Sequence, residues 1–354
     1  MNLKTVIYRI IIKPLVLVCV FFPASMAGSL NKMENNIDEV HENISNKVLE
    51  WSKIIDDTLC DYLDDKNATD TLQAQTCNTE PESIDAFFQT NKYLEETENT
   101  YVRVRIGEYF QSRESHDFKL KFSVQLPLSR TKKSFKLFME DVEINDVKNA
   151  LNNDLNEDSS SANLGIHYFA PVINGLQSRY SLGFSGIHPY VRARYNALVE
   201  TKNWEIDTVQ LFEYATDNTF EEETNIYFDS YYNDLSFFRM QLHRKTETDI
   251  DGMNYGFIFQ YYNTINKNIG LRSTMAFFGN TKYQYSKDDS INEPNENTFG
   301  GINNYIASIS WRENIWRKWF YYEIRPTVNF HRKHDYKANY SVLFMFDFYF
   351  GTCN

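Results

Sequence analysis

The side chains with the clearest capacity for chemistry are charged residues that alternate with apolar ones in the C-terminal two thirds of the chain. Charged groups at every second position of a strand share one face, and in a membrane barrel that face lines the lumen. The predicted lumen-lining residues are Arg103, Arg105, Lys119, Lys121, Arg192, Arg194, Glu205, Asp207, Arg239, Arg272, Glu323, Arg325 and Asp347. Such residues set the ion selectivity of a channel, or they pair with one another and fill a narrow interior. The sequence leaves both interpretations open.

Histidines are the other candidates for chemistry, and they are His167, His188, His243, His331 and His334. A β-barrel enzyme that catalyses hydrolysis needs a histidine beside a nucleophilic serine or an acidic pair. No spacing of these residue types in this sequence resembles a known catalytic motif. His331 and His334 lie where a predicted strand gives way to a loop, which favours a solvated loop over a metal site. We therefore predict no catalytic residue, no metal and no cofactor, and we rank an enzyme below a non-enzyme.

Three cysteines remain once the first 27 residues are set aside, namely Cys60, Cys77 and Cys353. No CxxC motif or histidine pattern accompanies them, so a redox centre or a zinc site is not indicated. In an oxidising compartment, a Cys60–Cys77 disulfide closing a short loop is the simplest interpretation.

Residues 30–65 are predicted to be helical because apolar side chains recur at steps of three or four, without an internal Gly or Pro. This stripe consists of Leu30, Met33, Ile37, Val40, Ile44, Val48, Trp51, Ile55, Leu59 and Tyr62. The stripe either forms a coiled coil with a second copy or another periplasmic protein, or packs on the protein's own structure, which we favour. Residues 84–98 are a candidate second, short helix.

From Tyr101 onward the period of the apolar residues changes from 3.6 to 2, which indicates β-strands. Residues 118–126, 320–330 and 340–350 alternate most regularly. Fourteen segments can be assigned, at 101–110, 117–128, 133–141, 162–171, 178–186, 189–199, 203–215, 222–232, 236–246, 253–263, 268–281, 300–311, 319–331 and 338–350. Twelve strands is the alternative, because the division between the fifth and sixth segments is the weakest.

The predicted fold is an all-β, antiparallel transmembrane β-barrel preceded by a helical periplasmic arm. The segments are longer than the usual strands of soluble proteins and match the 9–11 residues of a tilted membrane strand. Long polar connections at 142–161 and 282–299 both follow odd-numbered segments, as external loops of a barrel would. Trp311, Trp316 and Trp319 bracket one short turn in the manner of an interfacial aromatic girdle.

Three regions follow from the charge and hydropathy of the sequence. Residues 1–27 are predicted to be a signal peptide, with basic Lys4, Arg9 and Lys13, a short apolar stretch and small residues before a cleavage site after Ala27. Residues 28–100 form an acidic arm with 17 Asp or Glu against 5 Lys or Arg. Residues 101–354 form the barrel. The acidic balance excludes nucleic acid as a partner, because backbone phosphates are bound by Lys and Arg clusters.

Two stretches carry a family resemblance, the aromatic turn from Trp311 to Phe320 and the ending Phe346-Asp347-Phe348-Tyr349-Phe350-Gly351. Both resemble outer-membrane β-barrel proteins of Gram-negative bacteria whose function is unassigned. The resemblance implies the architecture, contact with outer-membrane lipid and a cell outer-membrane location, and it supplies no catalytic residue. The expected function is a porin-like channel for small solutes or ions. The alternatives are an outer-membrane enzyme acting on lipid or peptide, or a structural or assembly barrel with a periplasmic partner.

Overall fold

A computed structural model of the chain contains a closed, antiparallel barrel of fourteen strands in sequence order. The structure describes residues 27–62, 84–88, 101–113, 116–127, 135–141, 162–185, 187–216, 219–248, 250–283 and 299–351. The strands are β1 Tyr101–Gln111, β2 Asp117–Pro127, β3 Phe135–Asp141, β4 Ala162–Phe169, β5 Leu176–Ser185, β6 His188–Glu200, β7 Glu205–Ala215, β8 Thr219–Asn233, β9 Ser236–Glu247, β10 Ile250–Asn266, β11 Ile269–Tyr283, β12 Phe299–Glu313, β13 Phe320–His331 and β14 Ala338–Gly351. The prediction of fourteen strands is confirmed, and the alternative of twelve is wrong because β5 and β6 are separate strands.

Neighbouring strands form hairpins, and β1 closes the barrel by pairing with β14, from Tyr101 opposite Gly351 to Gln111 opposite Ser341. The start of β1 and the end of β14 therefore lie at the same end of the barrel. The connections 128–134, 170–175, 201–204, 234–235, 267–268 and 314–319 also lie there, and we call it the short-connection end. The opposite end carries the connections 142–161 and 284–298, and we call it the long-loop end.

Turn residues explain why the chain reverses at the short-connection end. Asn174 and Gly175 both have positive φ, at 51° and 80°, which is the requirement of a type I′ hairpin turn. The Asn233 side chain accepts a hydrogen bond of 2.9 Å from the backbone N–H of Leu235. The Asn266 side chain does the same for Asn268 at 2.8 Å. These local bonds satisfy backbone groups that the sheet leaves without a partner.

Two helices precede the barrel, α1 at Ala27–Tyr62 and α2 at Ile84–Phe88. The barrel and α2 belong to one structural unit that begins at Val48, and the part of α1 up to Lys47 belongs to another. Neither of these two described helices is long and apolar enough to cross a membrane. The predicted helix at residues 30–65 is present as far as Tyr62, where the described residues end. Of the predicted second helix, residues 84–88 are helical, and residues 89–98 lie outside the described residues.

Exposure varies along the apolar stripe of α1. Val40, Ile44 and Trp51 are 57%, 40% and 62% exposed, whereas Val48 is 7% exposed. The expected packing of this stripe on the protein's own structure stays a prediction, because Val40 and Ile44 belong to a different unit from the barrel. Beyond Val48, the buried side of the helix continues through Ser52 and Asp56, which are polar.

The predicted signal peptide lies outside the described residues, apart from Ala27 at the start of α1. Of the predicted disulfide, Cys77 also lies outside them, and the side chain of Cys60 is not described. Both remain predictions.

Candidate functional site

The two faces of the barrel wall differ sharply in chemistry, as β14 illustrates. Its odd-numbered residues Asn339, Ser341 and Asp347 are at most 4% exposed, although they are polar. The even-numbered residues Tyr340 and Phe346 are 63% and 43% exposed, although they are apolar. Since the strand alternates sides at each residue, the buried polar face is the inner wall and the exposed apolar face is the outer wall.

The residues that the sequence placed in the lumen share this inner parity on their strands. Those with described side chains are Arg103, Arg105, Lys121, Arg192, Arg194, Glu205, Asp207, Arg239, Arg272, Glu323, Arg325 and Asp347. Lys119 occupies an inner position of β2 opposite Gly107, and its side chain lies outside the described part of the structure. The inner wall is the candidate functional site.

One network of the inner wall centres on Asp347, which is 1% exposed. Arg103 donates through Nε and Nη2 to its two carboxylate oxygens, at 3.3 and 2.9 Å. Arg105 donates through Nε at 2.9 Å, and Arg312 donates through Nη1 at 2.5 Å. Three guanidinium groups from β1 and β12 therefore share one carboxylate on β14. Arginine suits this task because its planar fork matches a carboxylate and remains charged when buried.

A second network centres on Glu323 of β13. Its Oε1 atom accepts hydrogen bonds from Ser310 at 2.5 Å and from Arg325 Nη2 at 2.7 Å. Arg272 Nη2 lies 3.5 Å from the same oxygen, and Arg312 Nη1 lies 3.7 Å from Oε2. Because Arg312 contacts the carboxylates of both Asp347 and Glu323, it joins the two networks into one buried network of charged side chains.

Arg312 was missing from the predicted lumen-lining set. The aromatic composition predicts a turn from residue 312 onward, whereas β12 continues to Glu313. The alternation of β12 indicates an inward Arg312, because Ser308, Ser310 and Arg312 continue its even-numbered inner face. Arg312 is 1% exposed, which makes it the largest fully buried side chain among the described residues.

The wall formed by β8 and β9 carries ion pairs that sequence reasoning also missed in part. Asp229, which is fully buried, accepts two hydrogen bonds of 2.7 Å from Arg239. Lys245 lies 3.1 Å from Glu221 and also contacts Glu247. Of these residues, only Arg239 belongs to the predicted set. Residues 221–223 are three consecutive glutamates, which hide the alternation around Glu221.

Strands β2 to β6 form a contrasting part of the wall, which we call the basic wall. The buried or half-buried inward side chains that the structure describes there include Lys121, Lys136, Arg179, Arg192 and Arg194. Glu140 takes an inner register position of β3 opposite Ser123, and its side chain lies outside the described part of the structure. Arg192 Nε lies 2.5 Å from Glu213 Oε2 of β7. Among the described buried and half-buried side chains, basic groups therefore predominate on β2 to β6, while β7 to β14 carry both signs.

His167 and Ser181 form the arrangement closest to a catalytic pair among the described residues. The His167 Nδ1 atom lies 2.7 Å from Ser181 Oγ, and the imidazole stacks on Phe138 at a centroid distance of 3.8 Å. His167 on β4 and Ser181 on β5 lie directly opposite each other in the register of the two strands. Side chains in such cross-strand pairs form hydrogen bonds readily. Within the described part of the chain, no carboxylate is hydrogen-bonded to His167, so the third member of a triad is not in place.

Helix α2 packs against the inner wall at the short-connection end. Ile84, Phe87 and Phe88 are at most 7% exposed and form one apolar cluster with residues of the wall. Those wall residues are Phe237, Tyr262, Tyr321 and Tyr349, with Trp319 at the margin. Arg312 Nε donates a hydrogen bond of 3.1 Å to the carbonyl oxygen of Phe87. The sequence had placed this segment in a periplasmic arm, and no local pattern marks it as a wall contact.

Comparison with known proteins adds little. No protein-family model and no curated protein matches the sequence. Solved structures that match include the KdgM porin, with 6% identity, 70% of this chain and 98% of that chain covered, and a TM-score of 0.33. OccK10 (OpdN) of Pseudomonas aeruginosa matches with 5% identity, coverage of 71% and 98%, and a TM-score of 0.43. A bacterial polysaccharide outer membrane secretin matches with 10% identity, coverage of 72% and 99%, and a TM-score of 0.42. These values are too low to bear on function.

Proposed function

We propose that this protein is a channel of a Gram-negative outer membrane that passes small solutes or ions. The observation that carries the proposal is the division of a closed fourteen-stranded barrel into a charged inner wall and an apolar outer wall. A charged lining within a closed barrel is the arrangement through which channels conduct and select ions.

The outer wall supports placement in a membrane. Leu182, Tyr340 and Met275 project outward with exposures of 64%, 63% and 53%. A soluble protein rarely presents apolar side chains in so extended an array, because contiguous exposed patches promote association. In hydrocarbon the same residues are favourably solvated, and the closed sheet leaves no strand edge unsatisfied.

The strand number supports a passage. Fourteen strands spaced by about 4.8 Å and tilted by about 40° enclose a ring roughly 28 Å across between backbones. An inward layer of side chains about 5 Å deep on each wall leaves roughly 18 Å. Barrels of eight strands are filled by their side chains, whereas those of 16–18 strands leave an aqueous channel. A barrel of this size accommodates both charged pairs and a water-filled path.

The basic wall supports a weak preference for anions. Most of the acidic excess of the chain lies in residues 28–100, and salt screens exposed charges beyond about 8–10 Å. The fixed charges of Lys121, Lys136 and Arg194 lie on the lumen itself. The local charge of the wall, more than the net charge of the chain, then determines which ion is favoured.

Planar bilayers test the proposal directly. The purified, refolded protein is expected to produce stepwise conductance and, under a salt gradient, a reversal potential of the sign that anion preference requires. A parallel fractionation of cells is expected to recover the chain with outer membrane, in a form whose gel migration changes on heating. Recovery as a soluble periplasmic protein, or folded protein without conductance, would contradict the proposal.

The two other candidate functions have less support. The His167–Ser181 bond is the observation nearest to an enzyme, and it lacks a described orienting carboxylate. The uncovered Val40, Ile44 and Trp51 of α1 are the observation nearest to a structural role through self-association or a periplasmic partner. Cross-linking of the membrane-bound protein, with a Val40→Ser/Trp51→Ser variant as control, distinguishes that role from a channel that acts alone.

A further inference from the structure

Phe87 and Phe88 of α2 are held in an aromatic pocket of the inner wall. The Phe87 ring meets Tyr321 edge-on at a centroid distance of 6.0 Å, and the Phe88 ring meets Tyr262 edge-on at 5.2 Å. Behind them, Phe237 stacks on Tyr262 at 4.6 Å with an interplanar angle of 3°. The wall aromatics thus pack among themselves as well as with α2, so the pocket does not depend on α2 for all its contacts.

Gly270 makes room for this arrangement. A Cβ atom at this position would lie 2.5 Å from Phe87 Cε1 and 2.6 Å from Phe88 Cζ, distances that real Cβ atoms do not adopt. Gly270 is an inward residue of β11 directly opposite Arg312, which binds the Phe87 carbonyl. A residue without a side chain therefore lies where both phenylalanine rings approach the wall, and a single methyl group there is incompatible with their positions.

The pocket lies at one mouth of the barrel. Phe237 is the second residue of β9, Tyr321 is the second residue of β13, and Tyr349 is two residues from the end of β14. These positions all adjoin the short-connection end. A helix with its side chains is about 10–12 Å wide, so α2 covers roughly a third of an opening about 18 Å across.

We propose that α2 is a removable plug of the short-connection mouth, which is seated through Phe87, Phe88 and the Arg312 bond and widens the passage when it leaves. The inference rests on the proposed channel function. The aromatic pocket favours two discrete states, with α2 bound or α2 released, because packed aromatic pockets are either filled or vacated and do not deform continuously. Seated and unseated states should therefore appear as two conductance levels.

Two opposite changes test the plug. Phe87→Ala/Phe88→Ala removes the rings from the pocket, and Gly270→Ala leaves the rings intact but fills the space that they occupy. Both are expected to abolish the lower conductance level. Both should also raise the mean single-channel conductance by up to roughly 1.5-fold, which is the ratio of the full cross-section of the mouth to the two thirds that α2 leaves open. Agreement between two chemically opposite variants would be difficult to explain by a general loss of stability.

Gly107→Ala provides the matched control. Gly107 also faces the lumen, but a Cβ there meets the Phe344 carbonyl oxygen at 3.2 Å and no atom of α2 among its three nearest neighbours. This variant is expected to keep both conductance levels, and heat-modifiable migration checks that all variants are folded. Channels that conduct alike in the wild type and in both test variants would overturn the plug and leave the channel intact. Folded proteins that do not conduct in any form would overturn both proposals.

Discussion

The Nη1 atom of Arg312 lies 2.5 Å from Oδ2 of Asp347, and both side chains are 1% exposed. Arg312 belongs to β12 and Asp347 to β14, so their contact spans β13 on the inner wall. The same carboxylate also receives Arg103 and Arg105 from β1. Asp347 therefore holds three positive charges that would repel one another in its absence.

Neutralising Asp347 is expected to destabilise the barrel strongly. Asp347→Asn preserves the volume of the side chain but leaves buried guanidinium groups without their counter-charge. Removing one partner of a buried ion pair typically costs about 3–5 kcal/mol, and we expect a loss of this order in the free energy of unfolding. Urea titration of the protein in lipid vesicles, followed by tryptophan fluorescence, measures it.

The pair Lys337–Asp335, in the connection between β13 and β14, is the control for that measurement. Its atoms are 3.2 Å apart, and the two side chains are 64% and 83% exposed. Because solvent screens such pairs, Asp335→Asn should change the free energy of unfolding by about 1 kcal/mol or less. Equal losses for the two variants would contradict a special role for the Asp347 network.

Charge reversal on the basic wall is expected to move ion selectivity toward cations. At about 8 Å in water a unit charge changes the energy of an ion by about 0.5 kcal/mol. Reversal doubles this change, and physiological salt reduces it roughly threefold. The anion and the cation shift in opposite directions, so Lys121→Glu and Arg194→Glu should each lower the ratio of anion to cation permeability by about three- to fourfold. Reversal potentials under a salt gradient give the ratio.

Swapping a charged pair gives a variant of unchanged total charge for comparison. Arg192 and Glu213 contact each other across β6 and β7. Arg192→Glu/Glu213→Arg retains the contact with its polarity reversed, and we expect a permeability ratio close to that of the wild type. If the Lys121 and Arg194 variants behave like this swap, those side chains lie outside the conduction path.

A single arginine on the outer wall distinguishes lipid from water. Met275 projects outward near the middle of β11 and is 53% exposed. In a bilayer, Met275→Arg should cost about 2–4 kcal/mol of unfolding free energy, whereas the same change near an interface costs about 0–1 kcal/mol. Ile187→Arg, at an 85% exposed position between β5 and β6, is the matched control. Vesicle-based unfolding of both variants provides the comparison, and a Met275→Arg variant as stable as the control would indicate water at this face.

The Cys60–Cys77 disulfide remains a prediction from the sequence. In the chain-entropy description, closing a loop of this size stabilises by about 3 kcal/mol. Mass spectrometry of non-reduced peptides from periplasm-exported protein should identify the linked pair. Two alkylated, unlinked cysteines at these positions would show that the prediction is wrong.

The strands could be predicted from the sequence because a barrel wall has different surroundings on its two sides. Phe118 to Leu126 alternates strictly, and every even-numbered residue from Tyr340 to Phe350 is aromatic or Val. Both segments lie within the strands of the structure. The same parity placed Arg103 and Asp347 on one face. Alternation is a local property, so a single sequence carries it in full.

The side-chain contacts between residues far apart in the sequence could not be predicted in the same way. Arg312 follows Trp311 in an aromatic turn whose composition conceals the end of β12. Phe87 and Phe88 are followed by the polar residues 89–92. The residues that they contact, Phe237, Tyr262 and Tyr321, lie far along the chain. Such contacts depend on barrel closure and register, for which no local pattern exists.

The seam between β1 and β14 also determines the order in which this protein can assemble. Arg103 and Asp347 are separated by 244 residues, whereas the other strand pairs are hairpins of neighbours. Closing so long a loop carries an entropic cost before any contact compensates it, which makes long-range pairing slow. Until β14 reaches β1, the assembling sheet has two open edges that can recruit other chains. The meeting of the first and last strands is therefore the step that removes these edges and ends the exposure of the folding protein to aggregation.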